Sequence, residues 1–220
     1  MKAVIVAAYN RQKEMTERFL DNIKAWKNYT DIELILVNGG DFFRIEHPNI
    51  DKRIDIKDTG FSKVINAGLT QVPECDYIVI IGNDSFPNAD GWLDKLITLQ
   101  LLTDAGIVCP STDRPNMSHY SHLLRDVNPI WWECDMFPSI VYLIPYKVFK
   151  EIGVWDEGYV RTGMYGDDDY CQRTKRAGYK IVVSKEVLLN HLLSQEVKET
   201  GTVHQDMQDN CAYYKKKWNL

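Results

Sequence analysis

Apolar, β-branched runs that stop abruptly in small polar residues limit this chain more than any other feature. Lys2–Ala8 (KAVIVAA) leads into Tyr9-Asn10, Glu33–Val37 (ELILV) into Asn38-Gly39-Gly40-Asp41, and Tyr77–Ile81 (YIVII) into Gly82-Asn83-Asp84-Ser85. Runs of this length without polar interruption are strands buried on both faces, as in the parallel sheets of α/β proteins. Helical spacing follows or intervenes. Met15, Phe19, Leu20 and Ile23 recur within Lys13–Trp26, Phe61, Val64, Ile65 and Leu69 within Asp58–Leu69, and Trp92, Leu93, Leu96 and Ile97 within Asp90–Leu102. Arg53–Ile56, Gly106–Cys109 and Ser139–Pro145 read as further strands, and Tyr146–Ile152 as a short helix. Strand and helix alternating at this pace predict an α/β fold, a mainly parallel central sheet flanked by helices. The 220 residues suit one domain with a sizeable core.

In open α/β sheets, ligands bind outside the carboxyl ends of the strands. Asp84 stands at such an end, although Asn, Asp and Ser are also ordinary turn residues. The first strand is followed by no G-x-G-x-x-G, and the chain has no Walker-type phosphate loop. Phosphates bound here would therefore have no glycine-rich cradle. A net charge of −5 with no long basic block argues against nucleic acid as a partner. No apolar run is long enough to span a bilayer. Met1–Ala8 reads as a first strand and not a signal peptide, and five cysteines without metal-type spacing suit reduced thiols, so a cytoplasmic location is expected.

Two separated blocks resemble family-2-type glycosyltransferases with the GT-A fold, including a rhamnosyltransferase-like subgroup. The first block joins Gly60-Phe61, Asn66 and Gly68 to Asp76-Tyr77, Asp84 and Trp92-Leu93. The second runs Gly153-Val154-Trp155-Asp156-Glu157, Gly166-Asp167-Asp168-Asp169-Tyr170-Cys171-Gln172-Arg173, Ala177-Gly178-Tyr179, and His191. The resemblance implies a single GT-A domain over residues 1–220. Residues 1–105 would be a nucleotide-sugar half, 106–195 an acceptor half, and 196–220 a tail or helix. It implies a nucleotide-diphosphate sugar donor of UDP, dTDP or GDP type, a glycan or glycoconjugate acceptor, and Mn2+ or Mg2+. Asp84 and His191 would hold the metal. Ala8, Tyr9, Asn10, Asn38, Gly39, Lys63, Asn66, Asn83 and Asp84 would line the donor, with Tyr9 able to stack on a base and an amide able to pair with its edge. The chain departs from the D-x-D pattern at Gly82, which stands where the first acid would be.

The same resemblance makes Asp167 the general base of a single displacement, and a shift of one residue would choose Asp168. Capping and the helix dipole explain acids at a helix start without any chemistry. Asp169 and Arg173, spaced i, i+4, are expected to pair. Trp131, Trp132 and Glu133 close a long irregular stretch, Pro110–Trp132, read as a lid or binding loop. The two rings either offer flat faces to an acceptor sugar or are half-buried core. His119 and His122 in that stretch read as surface residues. A catalytically weakened nucleotide-sugar-binding module, suggested by Gly82, and a nucleotidyltransferase are the rival readings.

Overall fold

A computed structural model describes residues 1–9, 12–24, 28–40, 43–87, 89–112, 130–138, 140–192 and 202–220. In chain order the elements are β1 (Lys2–Tyr9), α1 (Lys13–Ile23), β2 (Asp31–Gly39), β3 (Lys52–Ile56), α2 (Phe61–Leu69), β4 (Tyr77–Gly82), β5 (Ser85–Pro87) and α3 (Trp92–Thr103). They continue with β6 (Ile107–Thr112), β7 (Trp131–Glu133), β8 (Val141–Pro145), α4 (Tyr146–Ile152), α5 (Gly166–Arg176), β9 (Ile181–His191) and α6 (Val203–Trp218). Residues 113–129, which make up most of the expected lid and include His119 and His122, lie outside the described residues. So do Asn10 and Trp26.

One sheet runs β3-β2-β1-β4-β8-β6-β9-β5, with β7 on β9. The first four strands are parallel, as their continuous apolar runs require. The remainder is mixed: β8 is antiparallel to both β4 and β6, and β5 and β7 are antiparallel to β9, while β6 and β9 are parallel. The α/β class is as expected, but parallel pairing governs only the first half of the sheet and the β6–β9 pair.

Alternate residues of each strand feed two cores. Ile5, Ala7, Leu34, Leu36 and Val79 pack with α1 and α3 on one face. Val4, Val6, Ile35, Val37 and Ile80 pack with α2, α4 and α5 on the other. Each such Val, Leu or Ile contributes about 1.5–3 kcal/mol through burial. Because both faces are apolar, a strand shifted by one residue would still bury apolar groups. Register is set where the runs end in polar residues.

Candidate active site

The parallel register aligns the strand ends. Tyr9 lies opposite Asn38, Asn38 opposite Asp55, and Ala8 opposite Gly82. Asp55, Asn38, Tyr9 and Gly82 therefore form a row along the carboxyl edge of the sheet, and Asp84 follows two residues later. The pleat sends neighbouring positions to opposite faces. Tyr9 and Asn38 share the α1 face, whereas Gly39 faces α2, where a Cβ would meet Val64 Cγ2 at 2.7 Å.

β5 carries the edge across to the far end of β9. Ser85 pairs with His191, and Leu192 N–H donates to the Asp84 carbonyl at 3.0 Å. This short ladder sets His191 Nε2 3.2 Å from Asp84 Oδ2, with both side chains largely buried. The Asp84 carboxylate leans over Gly82, where a Cβ would lie 2.8 Å from Asp84 Oδ1. It thus uses the room that glycine leaves open. Two cis ligands of an octahedral hard cation, each about 2.0–2.1 Å from the ion, stand about 3 Å apart, so this oxygen–nitrogen pair fits one Mn2+ or Mg2+. Among the described residues no third His, Cys, Asp or Glu completes a cluster.

In the second half of the chain, α5 opens at Tyr165, whose φ of 67° lies in the left-handed region that non-glycine residues seldom adopt. Three aspartates follow, each in a different setting. Asp167 Oδ1 accepts the Asp168 N–H at 3.1 Å, and the Asp167 charge adds to burial in raising the Tyr142 phenol and the Cys171 thiol. Burial, then the neighbouring Asp167 charge, pushes Asp168 up to about 7. Asp169 is fully buried, with Oδ2 2.9 Å from Arg173 Nε and Oδ1 2.7 Å from Lys217 Nζ and 3.0 Å from Trp218 Nε1. The expected Asp169–Arg173 pairing is present. Two neighbouring carboxyls favour a state with one ionised and one protonated over two full charges.

The raised Asp168 pKa has a measurable consequence. A carboxyl that titrates higher in the folded state binds protons that the unfolded chain releases, so stability falls as pH rises from about 4 to about 7 and is level above that. Asp168→Asn is therefore expected to stabilise the protein by about 1–2 kcal/mol above pH 7, after allowing for solvent screening, and not at all below pH 4. Urea melts at pH 4 and pH 8 check this; an equal effect at both would sink it.

The sequence matches the family model described as glycosyl transferase family 2 over residues 3–149, about two thirds of the chain. The chain belongs to glycosyl transferase family 2. GalNAc-T7, solved with UDP, GalNAc and Mn2+, superposes with a TM-score of 0.69 at 12% identity, over 87% of this chain and 44% of that one. A mannosyltransferase from Pyrobaculum calidifontis, in complex with GDP-Man and Mn2+, gives 0.66 at 15% identity, over 88% and 57%. TarS of S. aureus gives 0.60 at 11% identity, over 89% and 37%. The fold is thus GT-A, and the chain spans roughly a third to three fifths of these structures. No curated protein matches the sequence significantly.

Within this family-2 domain several expected donor residues are engaged elsewhere. Asn66 is buried in α2. Its Nδ2 donates to the Trp155 carbonyl at 2.9 Å and to Glu157 Oε1 at 3.0 Å, and its Oδ1 accepts the Trp155 N–H at 2.9 Å, so it ties the two halves together and does not face the edge. Asn83 Nδ2 donates to Thr16 Oγ1 at 2.9 Å and anchors the strand end to α1. Tyr9 is 1% exposed and tilted against Phe43 with ring centroids 5.5 Å apart, so it offers no open stacking face. Lys63 stays exposed on the first turn of α2, 2.9 Å from Asp58. Trp131, Trp132 and Glu133 lie in β7, opposite Ser184, Val183 and Val182. Adjacent strand residues point to opposite faces, and Trp131 and Trp132 pack against different cores. They form no single platform. All five cysteines are free thiols, and among the described residues no helix is long and apolar enough to cross a membrane.

α6 lies within residues 196–220, expected as a tail or helix, and packs onto residues 156–161. Lys217 reaches Asp156 at 2.6 Å, Asn210 brackets the Val160 peptide, and Arg161 pairs with Asp206 and with Asp209. Arg161 in turn accepts the Phe61 N–H on its carbonyl at 2.8 Å, which connects α6 to the start of α2. Gly158 permits the approach, since a Cβ there would lie 2.4 Å from the Tyr213 ring.

Proposed function

We propose that this chain is a metal-dependent, inverting glycosyltransferase that moves a hexosyl-type sugar from a nucleotide-diphosphate sugar to a hydroxyl of a glycan or glycoconjugate. The observation that carries this reading is the Asp84–His191 pair at the carboxyl edge of a family-2 sheet, 3.2 Å apart and built from an oxygen and an imidazole donor. The UDP and Mn2+ of GalNAc-T7, and the GDP-Man and Mn2+ of the archaeal mannosyltransferase, support the same donor class and a divalent ion here.

Asp84 and His191 would hold Mn2+ or Mg2+, which neutralises charge on the departing diphosphate when bound. Ala8, Asn38 and Gly39 lie at the carboxyl ends of β1 and β2, where the nucleoside would be received. Lys63 can leave Asp58 for a phosphate, because an exposed ion pair is worth about 0–1 kcal/mol. Asp167 accepts the proton of the acceptor hydroxyl as its oxygen attacks the anomeric carbon. The bond to the diphosphate oxygen breaks in the same displacement, and the electron pair leaves with the nucleoside diphosphate. Asp168, pushed up to about 7 beside it, is still partly protonated at neutral pH and so limits the negative charge that builds up next to Asp167.

The test is thermal stabilisation by nucleoside diphosphates with and without Mn2+. Wild-type protein should be stabilised only with the ion. Asp84→Asn should lose that metal-dependent increment and keep its own melting temperature, because Asn is well tolerated at a turn. His191→Ala should weaken it less, one carboxylate remaining. Unchanged metal-dependent binding in Asp84→Asn would refute the metal assignment.

A further inference from the structure

Among the described residues, four that are not glycine have a positive φ: Asp104, Arg161, Tyr165 and Asn219. Asp104 and Asn219 end α3 and α6, the ordinary place for such a conformation. Arg161 and Tyr165, with φ of 50° and 67°, instead precede α5 and lead directly to Asp167. Strained backbone of this kind persists only where its surroundings over-determine it. α6 supplies that constraint. Asn210, 1% exposed, accepts the Val160 N–H on Oδ1 at 2.9 Å and donates from Nδ2 to the Val160 carbonyl at 3.1 Å. It holds the peptide as a neighbouring strand would, and the two bonds leave the amide one orientation. The Arg161 guanidinium pairs with buried Asp206 and, at 2.8 Å, with Asp209, while its carbonyl accepts the Phe61 N–H at the start of α2 at 2.8 Å. Backbone bonds carry the hold onward. The Gly163 N–H donates to the Val160 carbonyl at 3.1 Å, the Gly166 N–H to the Gly163 carbonyl at 2.8 Å, and the Asp169 N–H to the Tyr165 carbonyl at 3.0 Å. Phe61 closes the turn from the α2 side, since a Cβ at Gly163 would lie 2.9 Å from its ring.

We propose that Asn210 is a positioning residue: with Arg161 it fixes residues 160–165, so that the carboxyls opening α5 keep a set place against the start of α2. This rests on the reading of Asp167 as the base, and it makes α6 part of the frame of the site. A reacting group displaced by about 1 Å can lose on the order of 10² in rate, and the segment before α5 has no regular element of its own to hold it. Nothing in the apolar pattern marks position 210, because its partner is a peptide and the exposed Val160 side chain takes no part.

The carboxyl carbon of Asp168, followed by NMR through a pH titration of the whole chain, reports whether the pair keeps its place. Burial, then the Asp167 charge beside it, pushes Asp168 up to about 7, and the Tyr165 and Tyr214 phenols are raised by its charge in turn. Asn210→Leu keeps the bulk of the side chain and removes both bonds to Val160. As the loop loosens and water reaches the pair, the Asp168 titration should fall below about 6. A merely structural Asn210 would lower the melting temperature and leave the titration of the folded protein near 7, and that result overturns the proposal. If Asn210→Leu does not fold, Arg161→Gly decides, because glycine suits the positive φ and the change removes the ties to Asp206 and Asp209. An unmoved titration in that variant, or failure of both to fold, overturns the proposal as well. The titration uses no sugar donor and so stands apart from the test of the base. Near-normal transfer by Asp167→Asn would sink the base reading alone and leave the hold of α6 on the loop to the titration.

Discussion

Asp167→Asn is expected to lower the transfer rate by at least about two orders of magnitude, the lower end of what a general base supplies. Donor and metal affinity should hardly change, because the base acts only when the acceptor hydroxyl loses its proton. Stability should change by less than about 1 kcal/mol, since Asn keeps the shape and can still accept the Asp168 N–H that Asp167 Oδ1 accepts at 3.1 Å. Transfer rates for Asn variants at 167, 168 and 169, measured in parallel with donor affinity, make the test specific. If the 168 variant alone loses turnover, the carboxyl titrating near 7 is the base and the mechanism survives with its roles exchanged. If all three retain near-normal turnover, the cluster is a helix start and nothing more.

Asp169→Ala should act on the fold instead. Its carboxylate is fully buried between Arg173, Lys217, Trp218 and Tyr159, so truncation leaves cations facing an empty buried site. Breaking a buried pair from one side costs about 3–5 kcal/mol. The lower end applies here. Arg173 keeps the Ile152 and Val154 carbonyls at 2.7 and 3.0 Å, and Lys217 keeps Asp156 at 2.6 Å. A loss of about 3 kcal/mol lowers the melting temperature of a chain of this size by about 6–12 °C. Both α5 and α6 grip this carboxylate, so limited proteolysis should release the α6 end first. A melting temperature within 2 °C of wild type, by this same ~2–4 °C per kcal/mol scale, would show that the network is dispensable.

The two predictions divide three consecutive aspartates of one short helix between chemistry and architecture, and that division was only partly legible in the sequence. Asp169 and Arg173 could be paired from spacing alone, because i and i+4 are neighbours on any α-helix. That Lys217 and Trp218 close on the same carboxylate could not, since nothing local links positions nearly fifty residues apart. The proximity comes from α6 folding back over the Trp155–Tyr165 loop, where Gly158 makes way for Tyr213.

The apolar runs by themselves determined the α/β class, the parallel order at the start of the sheet, and the placing of Asp84 at a strand end, because buried strands and amphipathic helices leave periodic marks. Only tertiary structure decided which polar residues face the edge. Asn66 and Asn83 match the motif as well as Asn38 does, yet two are spent on Trp155 and Thr16 while the third is locked by Asp55. Trp131 and Trp132 look alike in sequence and part company once β7 pairs with β9 and sends them to opposite faces. His191 becomes the companion of Asp84 through a three-residue ladder, Ser85 to Pro87 against Leu189 to His191, across more than a hundred residues of chain. An amide, ring or imidazole has no local signature of its partner. Its role is set by the long-range register that brings a donor, an acceptor or a neighbouring strand within hydrogen-bonding distance.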